Sequence, residues 1–222
     1  MKTKTEYHKI TTLFERDSDT NFKKVIEGLY AKPEFKYLEG ATWEFTEKVD
    51  GTNIRVVLTP ERVEYRGKTD NAQIPPFLLK RLGEIFSPNF PKCYGEVFSD
   101  APEVILYGEG YGARIQKGGG NYIVGGVDFV LFDIRIGDYW LERESIGEIR
   151  AKLNLDIVPV IGIGTIAEGV DLIKSNFRSA WGDFPGEGIV ARPRVQLFNR
   201  HGERVIWKLK RKDFPITEVR DE

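Results

Sequence analysis

The segment Glu47-Lys48-Val49-Asp50-Gly51-Thr52-Asn53 places a lysine, a carboxylate and a glycine at the spacing K-x-D-G. A lysine amine is a nucleophile only when it is neutral, and burial or neighbouring cations lower its pKa. Lys48 is therefore a candidate nucleophile toward a phosphate. The same residues also fit a solvent-exposed hairpin corner, because Lys, Asp and Gly are common in turns. On this segment alone, the hairpin corner is the stronger interpretation.

Further motifs follow in a fixed order along the chain. They are Leu106-Tyr107-Gly108-Glu109, Asp128-Phe129-Val130-Leu131-Phe132-Asp133-Ile134, Glu187-Gly188-Ile189-Val190-Ala191-Arg192 and Trp207-Lys208-Leu209-Lys210. Together with K-x-D-G they resemble motifs I, III, IIIa, IV and V of the covalent nucleotidyltransferases. That superfamily comprises ATP-dependent DNA ligases, RNA ligases and mRNA capping enzymes. The resemblance spans residues 47–210, and the ordered set is far more specific than any single motif.

The resemblance implies which residues carry out the chemistry. Lys48 would form a covalent lysyl-AMP bond, while Lys208 and Lys210 would stabilise the α-phosphate. ATP and Mg²⁺ or Mn²⁺ would be the cofactors. The carboxylates suited to holding the metal, directly or through water, are Asp50, Glu109 and Glu187. A solvent-exposed edge strand is the competing explanation for the two C-terminal lysines, which alternation places on one face with Ile206.

The resemblance also implies a set of nucleotide contacts. Glu47 and Phe129 would hold the adenine, Glu47 in part through its backbone. The other residues expected at the nucleotide are Asn53, Arg55, Arg66, Glu109 and Glu187. Without the family context, Phe129 fits a core position in an apolar strand, and Arg66 fits an exposed hairpin.

Patterns of apolar residues predict an α+β fold of antiparallel sheets with packed helices, the nucleotidyltransferase fold that DNA and RNA ligases use for adenylation. Period-two alternation predicts strands around residues 43–45, 54–58 and 63–65. Apolar strands are predicted at 103–108, 127–136, 157–163, 187–192 and 204–210. Helical spacing predicts helices at 22–30, ended by Pro33, at 78–86, opened by Pro75-Pro76 and closed by Pro88, at 146–153 and at 166–177.

Composition narrows the class of protein. The chain has 222 residues, 41% of them apolar, which is enough for a sizeable core. One cysteine and two histidines are too few for a Cys/His zinc site or a disulfide framework. No apolar run approaches the ~20 residues that span a bilayer, so we expect a soluble, cytoplasmic protein without a membrane partner. The net charge of -1 means that local basic clusters would have to hold a nucleic acid.

These observations predict one adenylation domain over residues 1–222 that acts as a small ATP-dependent RNA ligase. It would join 5′-phosphate and 3′-hydroxyl ends of RNA, or of RNA/DNA hybrids. Other ligases append an OB-fold or a helical domain, and we expect neither after Lys210, so a protein partner is one way to replace that function. The alternatives are a minimal DNA ligase, a guanylyltransferase or a non-catalytic nucleic-acid-binding module. The intact Lys48 argues against the last.

Overall fold

The computed structural model describes residues 5–87, 90–99, 101 and 103–214. Its strands are β1 (Thr11–Thr12), β2 (Phe14–Arg16), β3 (Val25–Tyr30), β4 (Trp43–Glu47), β5 (Thr52–Leu58), β6 (Val63–Arg66), β7 (Val104–Gly112), β8 (Val127–Ile136), β9 (Tyr139–Trp140), β10 (Asp156–Ile157), β11 (Val160–Gly164), β12 (Gly188–Pro193) and β13 (Trp207–Lys210). Its helices are α1 (Pro33–Tyr37), α2 (Pro76–Phe86), α3 (Phe90–Phe98), α4 (Arg143–Leu153) and α5 (Ile166–Lys174).

The described residues group into two compact units. The first contains residues 5–8 and 50–158, and the second contains residues 9–49 and 159–214. The K-x-D-G segment divides between them, with Lys48 in the second unit and Asp50 in the first. A single domain over residues 1–222 stays a prediction.

The first unit is built on a sheet in the order β10-β8-β7-β5-β6, with β9 also paired to β8. All pairs are antiparallel except β10 with β8. One face of the sheet is apolar because alternate residues of β5, such as Ile54 and Val56, point to it. Helix α2 covers this face with Leu78 and Leu82, and α4 adds Ile146 to the same core.

The second unit is built on a sheet in the order β1-β13-β12-β4-β11. Strand β1 runs parallel to β13, and the other neighbours are antiparallel. Trp43, Phe45 and Trp207 fill the core beneath α5, which contributes Val170 and Ile173. A two-stranded antiparallel sheet of β2 and β3 completes the unit.

The predicted α+β fold with mostly antiparallel sheets is confirmed. The helices predicted within 78–86 and 146–153 and the strand at 127–136 are present with those positions inside them. The helix predicted at 166–177 ends at Lys174, so Phe177 lies outside it. Pro88, expected to close α2, lies outside the described residues.

Two sequence-based assignments are wrong. Residues 25–30 form strand β3 instead of a helix, and Gly28 has a left-handed φ of 83° that interrupts any helix. Ile26 and Leu29, which were expected to pack on one helix face, are exposed. The strand predicted at 157–163 divides at Pro159 into β10 and β11, which pair in different sheets. Among the described residues, no helix has the length and apolar character needed to cross a membrane.

Candidate active site

Antiparallel pairing in the second unit brings three predicted residues to one edge of its sheet. Strand β4 ends at Glu47, and the next backbone N–H, that of Lys48, donates to the carbonyl of Gly188 at 2.9 Å. Gly188 begins β12 and lies opposite Lys210, the last residue of β13. Strand ends that are neighbours in an antiparallel sheet place the adjoining side chains together. Lys48, Glu187 and Lys210 therefore meet.

The Glu187 carboxylate lies between the two lysines. Lys48 Nζ donates to Glu187 Oε2 at 2.6 Å, and Lys210 Nζ donates to Glu187 Oε1 at 2.6 Å. These side chains are mostly but not fully buried, with about a fifth of each lysine exposed. Charge-assisted hydrogen bonds of this length are the strong kind. One carboxylate therefore orients both ammonium groups and keeps them from repelling each other.

Lys208 lies on the same face of β13 as Lys210. The strand alternates as predicted, because Trp207 and Leu209 are buried whereas Lys208 and Lys210 are half-buried. The competing explanation, a solvent-exposed edge strand, is wrong because β13 lies between β1 and β12. Lys208 is opposite Thr12 on one neighbour and Val190 on the other.

A group that the motif analysis missed fixes the backbone of Lys210. The carboxylate of Asp213 is fully buried, and its Oδ2 accepts a hydrogen bond from the backbone N–H of Lys210 at 2.8 Å. Its Oδ1 lies 2.9 Å from the guanidinium of Arg16. Lys24 Nζ donates to the carbonyls of Lys212 and Phe214 just beyond. Arg16 and Asp213 are almost 200 positions apart in the sequence, so no local spacing could have revealed the pair.

Glu47, the neighbour of Lys48 in the chain, is buried, with 1% of its surface exposed. Burial raises the pKa of its carboxyl above the ordinary value of 4.5, and hydrogen bonds from Ser179 and from the backbone of Ala180 offset part of that rise. The Ala180 N–H donates to Oε2 at 2.8 Å. Among the described residues, Oε1 has no hydrogen-bond partner. A buried oxygen without a partner is costly, so Glu47 suits a site that receives a polar ligand.

In the first unit, the face opposite the core carries the polar residues that the motifs predict. Asn53 on β5 is directly opposite Glu109 on β7, and Arg55 is opposite Arg66 on β6. Asn53 and Arg55 are two positions apart and share this face. The Asn53 Oδ1 atom is buried without a hydrogen-bond partner among the described residues. Asn53 beside the half-buried Glu109 is a second place suited to a polar ligand.

The two arginines on this face are engaged within the unit. Arg55 is fully buried, and its guanidinium donates to Gly67 O at 2.7 Å, Thr5 Oγ1 at 2.6 Å and Asp70 Oδ1 at 3.0 Å. Arg66 pairs with Glu64. The geometry thus gives Arg55 a structural role, and contact of either arginine with a nucleotide stays a prediction.

Phe129 lies in the core of the first unit, with 2% of its surface exposed. Its ring sits over the backbone of Gly108 and packs edge-to-face on Phe86 with centroids 5.5 Å apart. Phe129 is opposite Gly110, one position from Glu109, so it points to the other face of the sheet. This geometry supports the interpretation that Phe129 is a core residue, which the local sequence favours. Stacking of Phe129 on adenine stays a prediction that this geometry does not support.

Phe132, a second aromatic residue of the same motif, lies at a β-bulge on the polar face. The register of β7 with β8 shifts between Tyr107 and Gly108, so that Phe132 falls in the bulge. Phe132 packs with Tyr107 and Tyr7 on the face opposite the core. Alternation from Phe129 already places Phe132 on the opposite face, whereas the bulge leaves Asp133 on that face as well and returns Ile134 to the core.

Steric contact explains why the last position of K-x-D-G, Gly51, is a glycine. A Cβ atom at Gly51 would lie 2.3 Å from the carbonyl oxygen of Gly110, so no larger residue fits against β7. The turn is held by Tyr122, whose hydroxyl accepts from the backbone N–H of Asp50 at 3.1 Å, and by Gln116, which donates to Gly51 O at 3.0 Å.

Across the described part of the chain, no three Asp, Glu, His or Cys side chains cluster closely enough to hold a metal by themselves.

Three comparisons place the chain among known proteins. The model of the family described as RNA ligase matches residues 41–210. A Naegleria gruberi RNA ligase variant with ATP and Mn is 18% identical, with a TM-score of 0.61, over 80% of this chain and 52% of that one. Another Naegleria variant, without ligand, has a TM-score of 0.62 at 17% identity, over 94% of this chain and 58% of that one.

An archaeal ATP-dependent RNA ligase matches with a TM-score of 0.60 at 18% identity, over 92% of this chain and 48% of that one. The chain thus spans about half the length of these solved structures, whose likeness shows the fold. No curated protein matches it. The family match covers more than three quarters of the sequence, from before K-x-D-G to Lys210. The chain therefore belongs to the RNA ligase family.

Proposed function

We propose that this protein is an ATP-dependent ligase that joins RNA ends through a lysyl-AMP intermediate on Lys48. The observation that carries the proposal is the cluster in which Glu187 binds both Lys48 and Lys210 at 2.6 Å. Family membership favours RNA ligation over DNA ligation or guanylyl transfer. Solved Naegleria relatives were obtained with ATP or AMP and Mn, which supports the same cofactors here.

In the first step, the neutral amine of Lys48 attacks the α-phosphorus of ATP. A phosphorus–nitrogen bond forms, the bond from that phosphorus to the bridging oxygen breaks, and pyrophosphate leaves. The amine loses a proton as the bond forms, and Glu187 Oε2, 2.6 Å away, is positioned to accept it. Lys208 and Lys210 offset the charge on the phosphoryl oxygens.

A divalent metal supplies charge neutralisation at the departing pyrophosphate when it is bound. Asp50, Glu109 and Glu187 are the carboxylates that would hold it. Mg²⁺ is commonly bound by one or two carboxylates together with substrate phosphates and water, so a preformed cage of three is not required. The buried oxygens of Glu47 and Asn53 that lack partners fit the polar groups of a nucleotide.

The second and third steps transfer AMP to RNA and seal it. The 5′-phosphate attacks the phosphorus of lysyl-AMP, releasing Lys48 and leaving a 5′-5′ pyrophosphate linkage. The 3′-hydroxyl then attacks the RNA phosphorus, a phosphodiester forms and AMP leaves.

The decisive experiment is labelling with α-³²P-ATP and Mg²⁺ or Mn²⁺. We expect a covalent adduct that survives acid denaturation, that does not form with labelled GTP, and that is lost in Lys48→Ala. Lys174→Ala is the matched control, because Lys174 is a partly exposed lysine of the same unit paired with Glu27. Labelling of Lys48→Ala at the wild-type level would overturn the assignment of the nucleophile.

Substrate choice is measured next with matched nicks that differ only in the sugars at the 3′-hydroxyl side. We expect ribonucleotides there to be sealed faster than deoxyribonucleotides, because the 2′-hydroxyl is the group that separates RNA from DNA. Faster sealing of the all-DNA nick would favour a DNA ligase. RNA binding without any adduct would favour a non-catalytic module.

A further inference from the structure

The connection between β12 and β13 is a basic hairpin that none of the five motifs uses. Residues 192–204 contain four arginines and one histidine but a single acidic residue, Glu203, in a chain whose net charge is -1. An isolated bridge between Phe198 and Arg204 closes the hairpin. Local positive charge in a slightly acidic protein is the footprint expected of a phosphate-binding surface.

The hairpin is held in a defined shape. Asn199 Oδ1 accepts from the backbone N–H groups of His201 and Glu203, and Gly202 adopts a left-handed φ of 75°. Leu197 packs against the core of the second unit. The surface is therefore preorganised, and binding it requires little additional ordering.

Its outward side combines unneutralised positive charge with apolar surface. Arg194 and Arg200 are exposed, and neither forms an ion pair with a carboxylate of the described residues. Glu203, the acidic residue of the hairpin, pairs with Lys32 and does not compensate Arg194 or Arg200. Val195 and Phe198, which lie between these two arginines in the chain, are 69% and 50% exposed. Arginines beside an exposed aromatic ring are the combination that holds phosphates and unpaired bases.

The hairpin lies at the end of β12 opposite Glu187. Strand β12 has six residues, so at ~3.3 Å per residue its two ends are about 17 Å apart. At ~3.4 Å of duplex axis per base pair, this distance corresponds to about five base pairs. Phosphates several nucleotides from the reacting end are within the range of Arg194 and Arg200.

We propose that this hairpin, residues 192–204, binds the RNA backbone about five nucleotides or more from the break, with Arg194 and Arg200 on phosphates and Phe198 against a base or sugar. The inference rests on the proposed function, since it takes RNA as the substrate. The surface contributes affinity for RNA and has no part in forming lysyl-AMP.

The first test measures binding of a nicked RNA duplex lacking the reactive 3′-hydroxyl, between 50 and 200 mM salt. For Arg194→Ala/Arg200→Ala we expect at least about tenfold weaker binding at low salt. The slope of log K against log salt should be shallower by about 1.4–1.8, from ~0.7–0.9 per phosphate contact. Phe198→Ala should weaken binding at least about fivefold without changing the slope.

The control variant is Lys80→Ala/Lys152→Ala, which removes the same two charges from exposed positions on α2 and α4. A second test places neutral methylphosphonate linkages five to eight positions from the nick. These linkages should weaken RNA binding by the wild-type protein and leave RNA binding by the double arginine variant unchanged. The proposal would be overturned if the methylphosphonate linkages lowered RNA affinity equally for the wild type and the double arginine variant. Equal RNA binding by the double arginine and double lysine variants would also overturn it.

Covalent labelling with ATP separates the two hypotheses. All hairpin variants should form the adduct at the wild-type rate, because they leave the Lys48 cluster intact. If the wild-type protein forms no adduct, the proposed function fails, while the binding measurements still decide the hairpin. If the hairpin variants lose the adduct, these residues affect the fold or the nucleotide and the proposed RNA role is wrong.

Discussion

The most informative perturbation of the fold around the candidate site is Asp213→Ala. The Asp213 carboxylate is fully buried and links Arg16 to the backbone of Lys210, with distances of 2.9 and 2.8 Å. Removing it leaves the backbone N–H of Lys210 without its acceptor and takes the carboxylate from the Arg16 guanidinium, which keeps its hydrogen bonds to the carbonyls of Phe22 and Lys23. Because 30% of the Arg16 side chain is exposed, water can rehydrate part of that charge.

The magnitude follows from these contacts. A hydrogen bond to a charged group contributes about 1.5–3 kcal/mol, and breaking a fully buried ion pair costs about 3–5 kcal/mol. Partial exposure of Arg16 places the expected loss at about 2–3 kcal/mol. For a chain of 222 residues this corresponds to a fall in Tm of roughly 5–10 °C. Asp213→Asn keeps an acceptor for Lys210 N–H and should lose only about 1 kcal/mol.

Urea and thermal unfolding measure the stability, and the rate of α-³²P-ATP labelling measures the orientation of Lys210. We expect Asp213→Ala to label at least about tenfold more slowly, since small displacements of positioning groups are costly, and Asp213→Asn to retain most of the rate. The control is Glu203→Ala, which breaks the exposed pair with Lys32 and should cost under about 1 kcal/mol.

Two outcomes would refute this reasoning about Asp213. A stability loss no larger than that of Glu203→Ala would show that the buried pair contributes little. A destabilised Asp213→Ala protein that labels at the wild-type rate, below its melting temperature, would show that Asp213 supports the fold without orienting Lys210.

Two further predictions concern buried residues near the motifs. Because burial raises the pKa of Glu47 above 4.5, its stabilising contribution is complete below that pH and is lost as pH rises through the raised value. As the pH rises from 4 to 8, the free energy of unfolding of Glu47→Gln should therefore increase relative to that of the wild type. A difference in urea unfolding that does not change with pH would contradict this. A Cβ atom at Gly108 would lie 2.2 Å from the Phe129 ring and 2.5 Å from Val130 O. Gly108→Ala should cost about 2 kcal/mol or more, with partial recovery when Phe129→Leu is added; full stability of the single variant would contradict the packing.

Residues at strand ends were the part of the site that the sequence could predict. Lys48 follows β4, Glu187 precedes β12 and Lys210 ends β13, so the motifs mark points where alternating apolar runs stop. Once those strands pair antiparallel, the three side chains must meet at one edge of the sheet. The likeness of the motifs to a family implied that these residues act at one site, which periodicity alone could not.

Long-range contacts and register shifts were beyond the sequence. The bulge opposite Tyr107 and Gly108 leaves Asp133 on the same face as Phe132 and returns Ile134 to the core, and no local pattern marks it. The spacing of Phe22, Val25, Ile26 and Leu29 fits a helix. The β-branched residues among them favour the extended pairing that the structure shows, and Gly28 disfavours a helix. Tertiary pairing outweighed helical periodicity there.

Charge balance explains how the two lysines can lie close together and why their cluster suits an anionic ligand. Two ammonium groups facing each other repel, and Glu187 is the anion between Lys48 and Lys210 in this structure. The three groups together carry a net charge of about +1, which attracts a nucleotide phosphate. In the proposed reaction, a phosphate that binds Lys210 replaces Glu187 as the partner of that ammonium group. The carboxylate then becomes available to a metal ion or to the proton of Lys48, so binding of ATP itself prepares the nucleophile.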